Sequence, residues 1–267
     1  STGCGSTRGC SKPVHPCVLP DLWHRHNMID LDAARRAGVT VCNVPAYSTA
    51  AVAQNTISLL LNIATMTHIH SRYVSTGHWT DPTDHALVSV PMFELAGKTI
   101  GLIGCGDIGS AVGRIAAAFG MRVLAYRRHP DPSAGAYIRF VALDALYAQS
   151  DIVSLHCPLT PQTRGMIDRA AIGRMKDGAV LLNTARGGLL CERDVADALD
   201  CGKLYMAGLD VLCDEPPAPD SPLARHPRVI CTPHISWMPR ETRARLLRAA
   251  ADNLLCFLEG NPQNVIV

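Results

Sequence analysis

The sequence has few aromatic residues, few charged residues and no long apolar run. Aromatic residues make up 5% and charged residues 18% of the 267 residues, while 48% are hydrophobic, which indicates a globular chain and argues against disorder. The formal net charge is +2, so the charge balance gives no reason to expect a nucleic acid or a membrane as partner. The longest apolar candidate, 57–66, is shorter than the roughly 18 residues that span a bilayer. No secretory signal is visible, so we expect a cytoplasmic protein.

Paired cysteines at metal-binding spacing are also missing. The chain contains 11 cysteines, none of them in a Cys-x-x-Cys pair, and most lie inside or beside apolar runs. This pattern is typical of reduced thiols that serve as small apolar residues. Cys4, Cys10 and Cys17 lie near three histidines, but their spacing is too loose for a zinc site. We therefore predict no metal.

The N-terminal third of the chain changes from irregular to periodic. Residues 1–26 are rich in Gly, Ser, Thr, Cys and Pro, which predicts an irregular or disordered segment. Asp30 is expected to cap a short helix over 31–37 that Gly38 closes. A strand-like run follows at 39–44, and apolar residues at helical spacing predict a long helix from Ala50 to about Tyr73.

From residue 98 onward, short apolar runs alternate with helical segments. The predicted strands are 99–103, 122–126, 138–141, 152–155, 179–182, 206–209 and 229–231. The predicted helices are 108–119, 143–148, 169–175, 193–200 and 241–258. Such alternation indicates right-handed βαβ crossovers, so we expect an α/β fold with a doubly wound parallel sheet of the Rossmann type.

A glycine-rich turn follows the first strand of this region and opens its first helix. Gly104, Gly106 and Gly109 enclose Asp107 and Ile108 in the order G-x-G-x-x-G. In a strand–turn–helix context this pattern predicts a dinucleotide-binding loop. The glycines allow a tight turn, close backbone approach to a pyrophosphate and close helix–strand packing. The pyrophosphate charge would lie at the helix N-terminus.

Basic residues follow the second strand, where NAD-binding proteins carry an acidic residue that accepts from the adenosine ribose hydroxyls. That place holds Arg127, followed by Arg128 and His129. A guanidinium can pair with a 2′-phosphate, which a carboxylate would repel. The sequence therefore predicts a preference for NADP(H), with NAD(H) as the remaining alternative because a solvated arginine pair would leave the cofactor undecided.

An arginine, a glutamate and a histidine follow three later apolar runs. Arg186, Glu215 and His234 come after the runs 179–182, 206–211 and 229–231. The ends of adjacent parallel strands meet at one crevice, where open α/β sheets bind ligands. An arginine can hold a carboxylate with two hydrogen bonds, and a histidine can exchange a proton near neutral pH. These groups suit the reduction of a 2-keto acid beside a bound hydride donor.

Together these motifs carry a family resemblance. From about Asn27 to Val267 the chain resembles the D-isomer-specific 2-hydroxyacid dehydrogenases, in particular their glycerate dehydrogenase/hydroxypyruvate reductase branch. Besides the dinucleotide loop, the matching stretches are 43–49 (N-V-P-A-Y-S-T), 52–54 (V-A-Q), 94–99 (E-L-A-G-K-T), 157–160 (C-P-L-T), 183–188 (N-T-A-R-G-G), 210–211 (D-V), 215–217 (E-P-P) and 232–237 (T-P-H-I-S-W).

The resemblance implies roles for the three candidate catalytic residues. Arg186 would hold the substrate carboxylate and orient the carbonyl. His234 would donate a proton to the carbonyl oxygen and act as the base in the reverse direction. Glu215 would pair with His234 and keep it protonated.

The resemblance also implies contacts with the cofactor. Asp210 would lie near the nicotinamide, and Pro158, Thr184 and Ala185 would line the cofactor cleft. Arg186 and His234 belong to the same cleft and are counted among the cofactor contacts as well.

The family architecture implies two domains and a homodimer. Residues 95–235 would form the dinucleotide-binding domain. Residues 27–94 with 236–267 would form a substrate domain of flavodoxin-like type, which is incomplete in this chain. The segment after the long helix commonly forms a dimer arm in the family.

Two departures from the family concern the substrate domain. Only 26 residues precede Asn27, where the family has several more strands and helices. Trp23, His24, Arg25 and His26 also stand where a glycine-containing loop would bind the substrate carboxylate, and bulky side chains block close backbone approach. The chain is therefore expected to be truncated or diverged, with lowered stability, a tendency to associate and weak or absent activity.

The leading functional prediction is an NADPH-dependent reductase of hydroxypyruvate and glyoxylate, or a glycerate dehydrogenase in reverse. Phosphoglycerate, lactate and other 2-keto acids remain alternatives within the enzyme class. The alternative from another class is a dinucleotide-sensing, corepressor-like protein or an inactive fragment. Turnover of a 2-keto acid panel distinguishes these alternatives.

Overall fold

The computed structural model describes residues 29–80, 90–129 and 135–267. By their contacts they divide into two compact units, one holding 29–47 with 240–267 and the other lying within 48–239. No helix in the described ranges is both long enough and apolar enough to cross a bilayer. The predictions for residues 1–26, with their cysteines and the segment 23–26, lie outside the described residues.

A seven-stranded parallel sheet forms the centre of the larger unit. Its strands are β1 (Thr99–Ile103), β2 (Arg122–Tyr126), β3 (Ile138–Phe140), β4 (Ile152–Leu155), β5 (Ala179–Asn183), β6 (Leu204–Leu209) and β7 (Val229–Cys231). Their order is β3-β2-β1-β4-β5-β6-β7, with every pair parallel. β1 to β3 are added toward one edge of the sheet and β4 to β7 toward the other, so the strand order switches between β1 and β4. This order confirms the predicted doubly wound Rossmann sheet.

The central strands are apolar because helices cover both faces of the sheet. Every residue of β1, β4 and β5 is buried, which is typical of parallel strands covered on both sides. The connecting helices are α4 (Asp107–Ala118), α5 (Leu143–Gln149), α6 (Arg169–Arg174) and α7 (Glu192–Asp200). All four begin and end within one residue of the helices that the sequence predicts.

Two helices replace the single long one expected from Ala50 to about Tyr73. They are α2 (Thr49–Thr65) and α3 (Thr67–Ser75), and the prediction was wrong at the junction. Met66 adopts a left-handed backbone with φ of 49°. The hydroxyls of Thr65 and Thr67 lie 2.7 Å apart, and Thr65 also donates to the carbonyl of Leu61. Threonine hydroxyls that bond to nearby backbone compete with regular helix, a local effect that apolar spacing does not register.

The described part of the smaller unit contains two helices, α1 (Leu31–Arg36) and α8 (Arg240–Leu258). Asp30 caps α1 by accepting from the amide of Ala33, as the sequence predicts. The run 39–44 forms no regular strand; it contributes an isolated antiparallel bridge between Cys42 and Val265. The division into an incomplete flavodoxin-like substrate domain (27–94 with 236–267) and a cofactor domain (95–235) stays a prediction.

None of the eight cysteines in the described ranges forms a disulfide. Burial raises the pKa of Cys157 to about 11 and that of Cys213 to about 12. These two groups are therefore protonated thiols at neutral pH, and the thiolate is the reactive form.

Candidate active site

Candidate functional residues follow the carboxyl ends of five neighbouring strands of the sheet. Gly104 follows β1, His156 follows β4, Thr184 follows β5, Asp210 follows β6 and Thr232 follows β7. Neighbouring strands lie about 4.8 Å apart, so the ends of β5 and β7 are separated by roughly 10 Å. This edge of the sheet includes the switch in strand order between β1 and β4, where open α/β sheets bind ligands.

The glycine-rich loop has the shape that a dinucleotide requires. Gly104 has φ of +94°, and a Cβ there would lie 2.6 Å from the backbone of His156. A Cβ on Gly109 would overlap the carbonyl oxygen of Gly104. A Cβ on Gly106, by contrast, would meet no atom within 4 Å, and no side chain caps the N-terminus of α4 at this residue. Close packing explains Gly104 and Gly109, while the open space at Gly106 fits a pyrophosphate at the helix N-terminus.

Arg127 lies beside this loop. Its Nη1 donates a 3.3 Å hydrogen bond to the carbonyl oxygen of Cys105, so the end of β2 brings a guanidinium to the dinucleotide loop. Arg127, Arg128 and His129 are exposed. A cationic group at this edge suits an anionic substituent on the adenosine ribose.

His156 lies behind the same loop as a neutral group. Its Nε2 is 2.9 Å from the hydroxyl of Ser154, which is buried in β4. Burial lowers the pKa of His156 to about 4, because a desolvated imidazole disfavours its charged form. The ring is therefore uncharged at neutral pH and adds no positive charge to the loop.

His234 and Glu215 form a directly bonded pair. The His234 Nδ1 lies 2.8 Å from the Glu215 Oε2, with 19% and 20% of the two side chains exposed. An ionised carboxylate can only accept, so this bond places the hydrogen on Nδ1. The other carboxylate oxygen of Glu215 accepts from the amide of Leu212 at 3.2 Å. The ring is thus held through Nδ1, and Nε2 is the ring nitrogen that this bond does not use.

Asp210 holds the loop that carries His234. Its buried carboxylate accepts from the Thr232 hydroxyl at 2.5 Å and from the amides of Ile235 and Ser236 at 2.9 Å each. Its backbone carbonyl accepts from the amide of His234 at 2.8 Å. His234 has a left-handed backbone with φ of 54°, which is uncommon for a residue with a Cβ. The hydrogen bonds that this loop donates to Asp210 maintain this conformation.

The loop that carries Arg186 is held by hydrogen bonds to Asn183 and by packing against the backbone of Leu212. Asn183 is fully buried at the end of β5; its amide group donates to the carbonyl of Arg186 at 2.8 Å and accepts from the amide of Ala185 at 3.0 Å. A Cβ on Gly187 would overlap the backbone of Leu212. The Arg186 loop therefore packs directly against the segment that leads to Glu215.

Comparison with known proteins identifies the family of the chain. Residues 57–236 match the model of the D-isomer specific 2-hydroxyacid dehydrogenase, NAD binding domain. The chain belongs to this family. The resemblance predicted from the sequence motifs is therefore confirmed, and the dehydrogenase binds a nicotinamide dinucleotide in its Rossmann domain.

Relatives of the dehydrogenase include enzymes and a solved structure. A hydroxypyruvate reductase of Blautia hydrogenotrophica is 45% identical over 90% of this chain and 75% of its own length. A glycerate dehydrogenase of Methylorubrum extorquens is 35% identical over the same shares. The crystal structure of the TT0316 protein from Thermus thermophilus superimposes with a TM-score of 0.82 at 42% identity, covering 90% of this chain and 75% of that one.

These relatives support the predicted enzyme class. The dehydrogenase is an oxidoreductase that uses NAD(P) and acts on small 2-hydroxy or 2-keto acids. The alternative of a dinucleotide-sensing protein or inactive fragment is not favoured by the Blautia and Methylorubrum relatives, whose names are those of enzymes.

Sequence reasoning missed several residues that contact the candidate loops. Asn55 and Thr56 of α2 bond to Ser236 and Thr184 respectively. Thr56 is completely buried on an otherwise apolar helix face. A polar residue in such a position usually has a hydrogen-bonding partner. The polar residue in an apolar pattern could be seen in the sequence. Its partner, 128 residues away, could not be identified from the sequence.

Proposed function

We propose that this dehydrogenase reduces small 2-keto acids to D-2-hydroxy acids, hydroxypyruvate and glyoxylate foremost, with NADP(H) as its preferred cofactor. The observation that carries the proposal is the 2.8 Å His234–Glu215 pair on the same sheet edge as the Arg186 loop. Hydroxypyruvate and glycerate appear in the names of the relatives. The reaction converts a ketone or aldehyde carbonyl to a hydroxyl group.

Arg186 is proposed to bind the substrate carboxylate. A guanidinium presents parallel N–H donors that match the two oxygens of a carboxylate. One of its nitrogens, Nη1, donates to the carbonyl of Ala185 at 2.7 Å, which sets the direction of the planar group. Substrate bound in this way would present its adjacent carbonyl at a fixed orientation.

His234 is proposed to transfer the proton. From Nε2 it would protonate the carbonyl oxygen during reduction, and it would accept the same proton during oxidation. Glu215 holds the opposite nitrogen, which fixes the tautomer and orientation of the ring. When bound, a reduced nicotinamide supplies the hydride to the carbonyl carbon.

The cofactor contacts are proposed from the loop and the strand ends. Gly104, Gly106, Asp107, Ile108 and Gly109 would hold the pyrophosphate at the N-terminus of α4. The remaining proposed contacts are Arg127, Arg128, Pro158, Thr184, Ala185, Arg186, Asp210 and His234. The carboxylate of Asp210 accepts three bonds from the loop 232–236, so its effect on the nicotinamide site would act partly through that loop.

A homodimer in the cytoplasm is also proposed. The resemblance implies the dimer, and the cysteines of the described residues form no disulfide, which suits a reducing compartment. Light scattering of the purified chain at micromolar concentration would report a mass of twice the monomer's. A monomeric mass at every concentration would contradict the proposed dimer.

The proposed reaction is tested by NADPH oxidation with a panel of 2-keto acids. We expect turnover with hydroxypyruvate and glyoxylate to exceed turnover with pyruvate and phosphohydroxypyruvate. The product should be the D-isomer by chiral chromatography. Tight NADPH binding without turnover of any panel member would reject the proposed reaction.

The NADP(H) preference is tested at Arg127. Replacement with glutamine removes the charge that would pair with the 2′-phosphate, so kcat/KM for NADPH is expected to fall by about tenfold or more, with little change for NADH. Arg122→Gln, at the opposite end of β2, is the matched control and should change neither value. A wild-type chain that prefers NADH would contradict the assignment.

The loop is tested at Gly106, where a methyl group has room in the protein. We expect Gly106→Ala to raise the KM for the dinucleotide about tenfold, because the Cβ enters space needed for close pyrophosphate approach. Thermal stability should stay unchanged, since no atom lies within 4 Å. Gly173→Ala in α6, which also meets no atom within 4 Å, is the control and should leave the KM unaltered. Equal effects of the two changes would argue against a pyrophosphate at Gly106.

A further inference from the structure

Thr56 belongs to a directional chain of hydrogen bonds that connects α2 to Thr184, near Arg186 in the chain. Its Oγ1 lies 2.8 Å from the carbonyl oxygen of Val52 and 2.8 Å from the hydroxyl of Thr184. A hydroxyl has one proton, and a carbonyl oxygen can only accept. Thr56 therefore donates to Val52, and Thr184 donates to Thr56. This order sets the rotamer of Thr184, two residues before Arg186.

Asn55, the preceding residue of α2, reaches the other candidate loop. Its Nδ2 donates a 2.7 Å hydrogen bond to the hydroxyl oxygen of Ser236. Ser236 is 4% exposed and donates its amide to Asp210 at 2.9 Å. Ser236 lies two residues after His234, so α2 also contacts the loop that carries the proposed proton donor.

Both contacts come from one turn of one helix and lie in one compact unit of the chain. α2 is packed against the sheet, since a Cβ on Gly208 of β6 would lie 3.1 Å from Leu59 and 3.3 Å from Ile63. Thr56 and Thr184 are buried at 0% and 8% exposure, so water competes little for their bond. α2 is therefore a rigid support between two loops that are separate in sequence.

We propose that Asn55 and Thr56 are positioning residues of the dehydrogenase, with Thr56 orienting the Arg186 loop through Thr184 and Asn55 orienting the His234 loop through Ser236. The inference rests on the proposed function, in which these loops supply the carboxylate clamp and the proton donor. Each residue acts by limiting the conformations of the loop that it contacts.

The two residues have different kinetic signatures. Thr56→Val keeps the side-chain shape and removes the hydroxyl, so we expect the KM for the 2-keto acid to rise about fivefold. Asn55→Ala removes the bond to Ser236, so we expect kcat to fall by about the same factor. Thr56→Ser restores the hydroxyl and should restore the KM.

α2 itself supplies matched controls. Thr65 donates to the carbonyl of Leu61 and lies 2.7 Å from the Thr67 hydroxyl, which repeats the bonding of Thr56 at the far end of the helix. Asn62 donates to the carbonyl of Ser58 at 3.0 Å. Thr65→Val and Asn62→Ala should leave both kinetic constants within twofold of the wild type.

Hydrogen exchange measured by mass spectrometry provides a readout that needs no turnover. We expect faster amide exchange over 184–188 in Thr56→Val and over 234–237 in Asn55→Ala, and unchanged exchange there in the controls. These shifts in a chain without turnover would support the positioning role while rejecting the proposed reaction. Wild-type exchange in both loops, or lowered thermal stability with unchanged KM and kcat, would overturn the positioning role.

Discussion

Replacement of His234 by glutamine is expected to lower kcat for 2-keto acid reduction by about 10²- to 10⁴-fold, the range that a positioned general acid contributes. Glutamine keeps a side chain that can hydrogen-bond to Glu215 but has no proton to transfer near neutral pH. The KM for the dinucleotide should change little, because the change leaves the glycine-rich loop intact. Initial rates of NADPH oxidation at saturating substrate measure the effect.

A second histidine provides the control for this prediction. His226 lies 3.2 Å from Asp200, a pair whose aspartate is 75% exposed, in the turn before β7. His226→Gln should retain kcat within twofold. Glu215→Gln preserves the shape of the pair without its charge and should give an intermediate loss. If His234→Gln kept wild-type kcat, the proton would have to come from another group.

Replacement of Arg186 by glutamine is expected to lower kcat/KM for the 2-keto acid by at least about 10²-fold. Charge-assisted hydrogen bonds contribute about 1.5–3 kcal/mol each, and glutamine can make neither the ion pair nor the two parallel donations. Arg186→Lys keeps the charge without the planar donors, so it should recover only part of the loss. Steady-state kinetics with hydroxypyruvate measure both variants against the wild type.

Arg193 supplies the matched control, since it lies on α7 with 80% of its side chain exposed and pairs weakly with Asp197 at 3.6 Å. Arg193→Gln should keep kcat/KM within twofold. Unaltered kinetics of Arg186→Gln would mean that the carboxylate is bound elsewhere.

The strands and most helices could be predicted because their signals are local. The runs at β1, β4 and β5 are apolar on both faces, and the glycines from Gly104 to Gly109 follow a strand and open a helix. Such patterns fit within a window of about 11–18 residues. The helix from Ala50 was predicted too long because apolar spacing continues past Met66, whose left-handed backbone depends on side-chain hydrogen bonds rather than on hydrophobicity.

The candidate site was predicted in part for a similar reason. Arg186, Glu215 and His234 each follow a strand, so parallel topology alone suggested their convergence. Their geometry was not accessible: the Glu215 contact to the amide of Leu212 and the three bonds to Asp210 depend on how each loop turns after its strand. The nicotinamide contact of Asp210 stays a prediction from the resemblance, while the bonds that its carboxylate accepts from the loop 232–236 appear only in the structure.

The amino-acid sequence by itself determined the doubly wound sheet, the family and the residue types available for binding a carboxylate and moving a proton. These depend on periodicity and on short motifs, which are properties of neighbouring residues. Tertiary structure alone decided that Asn55 meets Ser236 across 181 positions and that Thr56 meets Thr184 across 128. Hydrogen bonds are directional and act over about 3 Å, so these partners are defined only after α2 has packed on the sheet.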